Sequence, residues 1–148
     1  MVVVDREMAS YYGANLENHV LTIMFLASQM YQHPTIINPV RLFITDLVYL
    51  SKLDVSAQKN FEIVWDAERT LDSFCQWQVT YRMRSANRAS VDAAILLTRH
   101  DICKSKDVCQ TLGMARLGQV CVPGQHCAII EDSGINTAFT VSHEIGHL

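Results

Sequence analysis

The sequence predicts an α/β domain with a mixed β-sheet. Three observations carry that reading. Strand-length apolar runs alternate along the chain with longer segments whose apolar residues recur at helical spacing. One run, Ala93-Ala94-Ile95-Leu96-Leu97-Thr98, is continuously apolar, as expected of a central strand covered on both faces. The last residues, His143-Glu144-Ile145-Gly146-His147-Leu148, continue a helical pattern and put two imidazoles one turn apart on one face.

The elements follow in order. Met1-Val2-Val3-Val4-Asp5 lacks the basic start of a leader peptide and reads as a short buried strand. Residues 15–32 read as an amphipathic helix in which Leu16, Val20, Ile23 or Met24, Ala27 and Met30 or Tyr31 share a face. Asn15, after Gly13, is its expected N-cap, and His33-Pro34 stops it. A strand is expected to open at Pro39 and run through residues 40–50, which are rich in β-branched and aromatic side chains; a polar loop follows. A second helix is expected over residues 67–81, burying Leu71, Phe74, Cys75 and Trp77 or Gln78. Arg82-Met83-Arg84-Ser85-Ala86-Asn87-Arg88 reads as a surface loop. Beyond the central strand the chain is less regular, with Thr111-Leu112-Gly113-Met114 and Ala128-Ile129-Ile130 as strand-length pieces. Asp132-Ser133-Gly134 breaks the chain, and a helix from about Asn136 carries Ala138, Phe139, Val141 and Ile145 beside the histidines.

A chain of 148 residues, 49% hydrophobic, can bury a core and is most simply one domain, residues 1–148. Its net charge of −3, with mixed signs, gives no basic footprint for nucleic acid and no polybasic patch for a membrane. The longest apolar stretch, residues 20–30, is interrupted by Thr22, Ser28 and Gln29 and is too short to span a bilayer. None of the cysteines (Cys75, Cys103, Cys109, Cys121, Cys127) forms a C-x-x-C, which argues against a zinc knuckle or a thioredoxin-like site. Their spacing looks like a disulfide framework and hence an oxidising compartment, the alternative being scattered buried thiols in a reduced protein. The odd count leaves one thiol without a partner in the chain.

His143-Glu144-Ile145-Gly146-His147 is an H-E-x-x-H pattern. On a helix the two histidines can turn nitrogens to one zinc ion, and Glu144 is placed to take a proton from the water that the metal activates. The bland alternative is a pair of surface histidines flanking a salt-bridging glutamate. Catalytic zinc usually takes three protein ligands, and this motif supplies two. His19, His33, His100 and His126 are expected to be surface or packing residues rather than replacements for the third.

With these residues assembled, the chain resembles the catalytic domain of the ADAMTS metalloproteases, in the reprolysin (adamalysin) group of the metzincins. The residues that carry the resemblance run almost end to end. They are Met1-Val2-Val3-Val4-Asp5 with Met8, Leu21-Thr22-Ile23-Met24, His33-Pro34-Thr35-Ile36 and Asn38-Pro39. Phe74-Cys75-Gln76-Trp77-Gln78 matches an F-C-x-W-Q signature, and Asp92-Ala93-Ala94-Ile95-Leu96-Leu97-Thr98-Arg99 with Asp101-Ile102-Cys103 is similar to D-T-A-I-L-x-T-R and its sequel. Thr111-Leu112-Gly113-Met114-Ala115 is the T-L-G-M-A segment. Cys127-Ala128-Ile129-Ile130-Glu131-Asp132-Ser133-Gly134 leads through Ala138-Phe139-Thr140 into the zinc helix.

The resemblance implies a metzincin-like fold: a mixed, mostly parallel sheet with an antiparallel edge strand, packed with helices, the zinc helix last and the lower subdomain missing. It implies a secreted zinc endopeptidase of extracellular-matrix proteins such as proteoglycans or procollagens. His143 and His147 would be zinc ligands and Glu144 the catalytic base. Substrate would pair with an edge strand at Thr111, Leu112, Gly113, Met114 and Ala115, where Gly113 would let a substrate backbone approach closely. It implies bridges Cys75–Cys127 and Cys103–Cys109, with Cys121 unpaired. Calcium is the second implied ion, with Asp92, Asp101, Glu131 and the carbonyls of Ile102 and Cys109 as candidate ligands. Gln110 and Ser85-Ala86 depart from the family pattern where acidic ligands are usual. The larger departure is at the end: the family's third histidine, six positions past His147, and its later methionine turn are not in the 148 residues. The chain is therefore expected to be a part of a catalytic domain, inactive alone. The alternative is a non-catalytic extracellular binding protein. A metallopeptidase whose third ligand is a distant glutamate is disfavoured by the T-L-G-M-A and F-C-x-W-Q matches.

Overall fold

A computed structural model describes residues 1–53, 55–84 and 91–148. Five strands form one sheet in the order β2-β1-β3-β5-β4. They are β1 (Val2–Val4), β2 (Leu47–Tyr49), β3 (Ala94–Thr98), β4 (Gly113–Ala115) and β5 (Cys127–Glu131). All pairings are parallel except β4 with β5, which places the one antiparallel strand at an edge. The helices are α1 (Arg6–Tyr12), α2 (Leu16–Met30), α3 (Ala67–Arg84) and α4 (Thr137–His147).

Alternation of side chains along the strands sorts the core into two layers. Val3, Val48, Leu96 and Ile129 turn to one face and meet Leu71, Phe74 and Trp77 of α3. Val2, Val4, Ile95, Leu97 and Ile130 turn to the other and meet Met8, Val20, Ile23 and Ala27 of α1 and α2 and Ala138 and Val141 of α4. β3 lies in the middle of the sheet with all five residues buried, as its uninterrupted apolar run predicts. The bridge Cys75–Cys127 ties α3 to β5 (Cα–Cα 5.7 Å), Cys103–Cys109 closes a six-residue separation, and Cys121 is free and exposed.

Three expectations need correction, and one element was not expected. Only residues 47–49 of the run 40–50 form a strand. The partner β1 is three residues long, so residues 40–46 find no ladder, whatever their β-propensity. Leu42 and Ile44 still face inward, alternating with exposed Arg41, Phe43 and Thr45. Asn15 does stand at the N-cap position of α2, but its side chain makes no capping hydrogen bond. A 3-10 turn, Gly13–Asn15, leads directly into α2, so the backbone of Asn15 is already helical. The second helix continues to Arg84, taking in Arg82, Met83 and Arg84 of the expected loop; Ser85, Ala86, Asn87 and Arg88 lie outside the described residues. α1 is an element that periodicity did not reveal, since seven residues with one buried side chain, Met8, carry little pattern. Its signal is the N-cap: Asp5 Oδ1 accepts from the Met8 N–H at 2.7 Å.

Candidate metal centre and strand edge

α4 presents exposed histidines on one side and core residues on the other. Ala138, Val141 and Leu148 are buried, while His143 and His147 are exposed. The helix is fixed along its length. At its start, Asp132 Oδ1 accepts from the Thr137 hydroxyl at 3.2 Å. In its middle, the Tyr31 hydroxyl donates to the Ser142 carbonyl at 2.6 Å, tying α4 to the end of α2. At its end, Gly118 N–H and Val120 N–H donate to the carbonyls of His147 (2.7 Å) and Leu148 (2.8 Å). Those carbonyls would otherwise be unpaired at the helix terminus, so the segment after β4 both caps α4 and sets its distance from the sheet edge.

His143 Nε2 and His147 Nε2 are 2.9 Å apart, one donating to the other. Two nitrogens sharing a tetrahedral zinc stand about 3.3 Å apart, given zinc–nitrogen bonds of about 2.0–2.1 Å. A small ring rotation therefore suits the pair to one ion. Among the described residues no third histidine, cysteine or carboxylate stands within ligand reach of both. The other histidines are engaged elsewhere: His19 with Asp132, His33 with Thr35, His100 near Asp5 and Glu7, and His126 with the Val122 carbonyl and Arg82.

Glu144 is only 5% exposed. Burial pushes its carboxyl above the usual carboxylate range, against the opposing pull of His143 and His147. It packs on β4. The ladder from β4 to β5 uses the Leu112 carbonyl (to Glu131 N–H, 2.8 Å) and the Arg116 N–H (to the Cys127 carbonyl, 3.5 Å), with Met114 opposite Ile129. By the alternation of antiparallel pairing, Gly113 and Ala115 turn their own N–H and C=O to the open side of the edge strand. Thr111 and Leu112 precede the strand proper, Leu112 exposed.

The acidic candidates separate into two places. Asp101 and Glu131 lie together at the C-terminal end of β3, beside the Cys103–Cys109 loop. Glu131 accepts from the Ile102 N–H at 3.0 Å, and its carboxyl is raised mainly by burial and further by the charge of Asp101. Asp92 stands exposed before the other end of that strand. Cys103 and Cys109 are bonded to each other, so their sulfurs are not anionic ligands.

The chain matches the family described as Reprolysin_5, metallo-peptidase family M12, over residues 1–148. It belongs to metallo-peptidase family M12. Among its M12 relatives are "A disintegrin and metalloproteinase with thrombospondin motifs 4" of Homo sapiens, 42% identical over all of this chain and 17% of the relative, and the corresponding motifs 1 protein of Homo sapiens, 40% identical over all of this chain and 15% of the relative. The motifs 8 protein of Homo sapiens is 37% identical over all of this chain and 16% of the relative. The chain thus spans about one sixth of the length of these relatives. A solved structure described as "Structure of a chaperone-substrate complex" superposes with a TM-score of 0.63 at 11% identity, over 99% of this chain and 22% of that one, a likeness of fold alone. The M12 assignment and the sheet topology agree with the metzincin-like α/β fold that the sequence motifs imply.

The sequence motifs did not point to Asp132. Its side chain is fully buried and is held by Tyr12, His19, Arg99 and Thr137. The available signal was an acidic residue directly before the Ser-Gly break at a helix start.

Proposed function

We propose that residues 1–148 form part of a reprolysin-type catalytic domain whose parent protein is a secreted zinc endopeptidase of extracellular-matrix proteins. The observation that carries this is the convergence of the His143–His147 nitrogens with buried Glu144 beside an open strand edge. His143 and His147 are two ligands for zinc, which when bound supplies a Lewis acid and a water of lowered pKa. Glu144, one residue from a ligand and shielded by β4, takes up the proton of the attacking water and returns it to the leaving amine. A substrate peptide lies extended along Thr111, Leu112, Gly113, Met114 and Ala115, pairing with the outward N–H and C=O groups of Gly113 and Ala115. Asp101 and Glu131, with the carbonyls of Ile102 and Cys109, offer a hard oxygen set for calcium that would relieve their mutual repulsion, while the candidate Asp92 stands apart at the other end of β3. Secretion is supported by two disulfides, which persist in oxidising compartments. No helix of the described residues is long and apolar enough to cross a membrane.

A second reading is a non-catalytic extracellular binding protein, in which His143 and His147 are exposed helix residues and Glu144 a packing residue against the edge strand. Calorimetric zinc titration, with His143→Ala and His147→Ala as controls, tests the metal. The peptidase is tested in a protein extended past Leu148 to the third histidine that the family pattern carries. Casein or proteoglycan cleavage abolished by Glu144→Gln supports the first reading. No zinc bound by the pair, or cleavage that survives Glu144→Gln, overturns it.

A further inference from the structure

A methyl group built on Gly113 would lie 2.7 Å from Glu144 Cγ, 2.7 Å from Glu144 Oε1 and 2.9 Å from Glu144 Cδ. Real side chains essentially never come so close, so the carboxylate occupies the space that any other residue at position 113 would fill. Conformation does not require glycine there: Gly13, Gly118, Gly124 and Gly134 have positive φ, and Gly113 does not. Room is the reason. The strand's register explains why the need falls at this residue. Gly113 pairs with Ile130 and, like Ala115 two positions on, turns its Cα substituent toward α4, while Met114 turns to the α3 side. The side chain that meets it is the one buried acidic group of the H-E-x-x-H segment, while the flanking His143 and His147 are exposed.

We propose that Gly113 is a positioning residue for Glu144: the missing side chain is a seat in the edge strand that holds the glutamate side chain in one pose beside the histidine pair. This rests on the reading of Glu144 as the proton carrier, but the seat itself is a packing relationship that can be tested without metal or substrate. It differs from the sequence-based role for Gly113, in which the glycine admits a substrate backbone. A glycine kept for substrate approach would be indifferent to what stands at position 144.

The test is a thermal-unfolding cycle on the 148-residue chain. Gly113→Ala should lower the midpoint by roughly 3–8 °C, as overpacking a filled site does. The same change should cost nearly nothing in a Glu144→Ala background, where the colliding atoms are gone, and its full amount in Glu144→Gln, which keeps the shape and loses the charge. If Gly113→Ala does not fold, Glu144→Ala added to it should restore folding. Equal cost in all three backgrounds, or no cost in any, overturns the seat. Zinc affinity of Gly113→Ala should stay within about twofold of the parent chain, since the two histidines are exposed and Gly113 faces Glu144; a collapse in zinc binding would mean that α4 as a whole had moved and would also overturn the local seat. Absence of zinc binding by the unaltered chain would instead count against the proposed function, while the unfolding cycle would still decide whether the seat exists.

Discussion

His19 Nε2 stands 2.8 Å from Asp132 Oδ1, joining the start of α2 to the turn that leads into α4. A carboxylate can only accept, so Nε2 carries the proton and the ring is oriented by the acid. Asp132 has two more strong donors: the Tyr12 hydroxyl at 2.8 Å and Arg99 Nη1 at 2.8 Å. Tyr12 stacks on His19 at 3.9 Å, and the Arg99 guanidinium lies 3.9 Å from the Tyr11 ring. One fully buried carboxylate therefore fastens α1, α2, the end of β3 and the start of α4.

Removing that charge should be costly. Asp132→Asn leaves Arg99 without its buried counter-ion, and the expected loss is roughly 2–4 kcal/mol. Urea unfolding of the variant against the parent chain reads it directly. A change below about 0.5 kcal/mol, the range of ordinary surface substitutions, would show that the junction does not hold the helix.

The same junction sets limits on pH stability. Burial alone would raise the Asp132 carboxyl, but hydrogen bonds from His19, Tyr12 and Arg99 outweigh it and hold the group below its ordinary value. A depressed acid contributes stability that is complete above its unfolded value, about 3.9, and is lost as pH falls through the lower folded value. Tyr12 is pushed up to about 12, first by burial and then by its bond to Asp132. Its contribution is complete below its unfolded value, about 10, and is lost as pH rises toward 12. In Tyr12→Phe the alkaline decline between these values should shrink; an unchanged alkaline limb would refute the assignment.

The two bridges should differ in worth. On the chain-entropy account, closing the 52-residue separation of Cys75–Cys127 stabilises by about 4 kcal/mol, and closing the six-residue separation of Cys103–Cys109 by about 2 kcal/mol. Paired Cys→Ser variants compared by denaturant midpoint test the ranking. Alkylation of the unreduced chain should label Cys121, the exposed free thiol, and label on Cys75 or Cys103 would contradict the pairing.

The 148 residues by themselves should bind zinc through His143 and His147 yet cleave nothing. Two imidazoles leave the ion mostly to water, without the geometry that three ligands impose. Incubation with zinc and casein should show no Glu144-dependent cleavage. Cleavage that disappears in Glu144→Gln would prove this expectation wrong and send the search to a further ligand.

Local patterns in the chain determined much of this protein. The apolar run at β3, the helical spacing in α2 and α3, and the i, i+4 histidines of α4 are each properties of a few consecutive residues, so no partner had to be known to recognise them. The order of motifs carried the family resemblance, and that resemblance implied the cysteine pairing. Tertiary structure decided whatever depends on a neighbour. The strand expected at residues 40–50 shrank to Leu47–Tyr49 because β1 is only three residues long. Asp132 gained its role from donors 33 to 120 residues away in sequence. Gly113 belongs to the same class. A substrate-approach glycine and a seat for Glu144 look alike in one dimension, and only the packing of α4 on the edge strand separates them, because excluded volume is a property of the assembled fold and not of either segment.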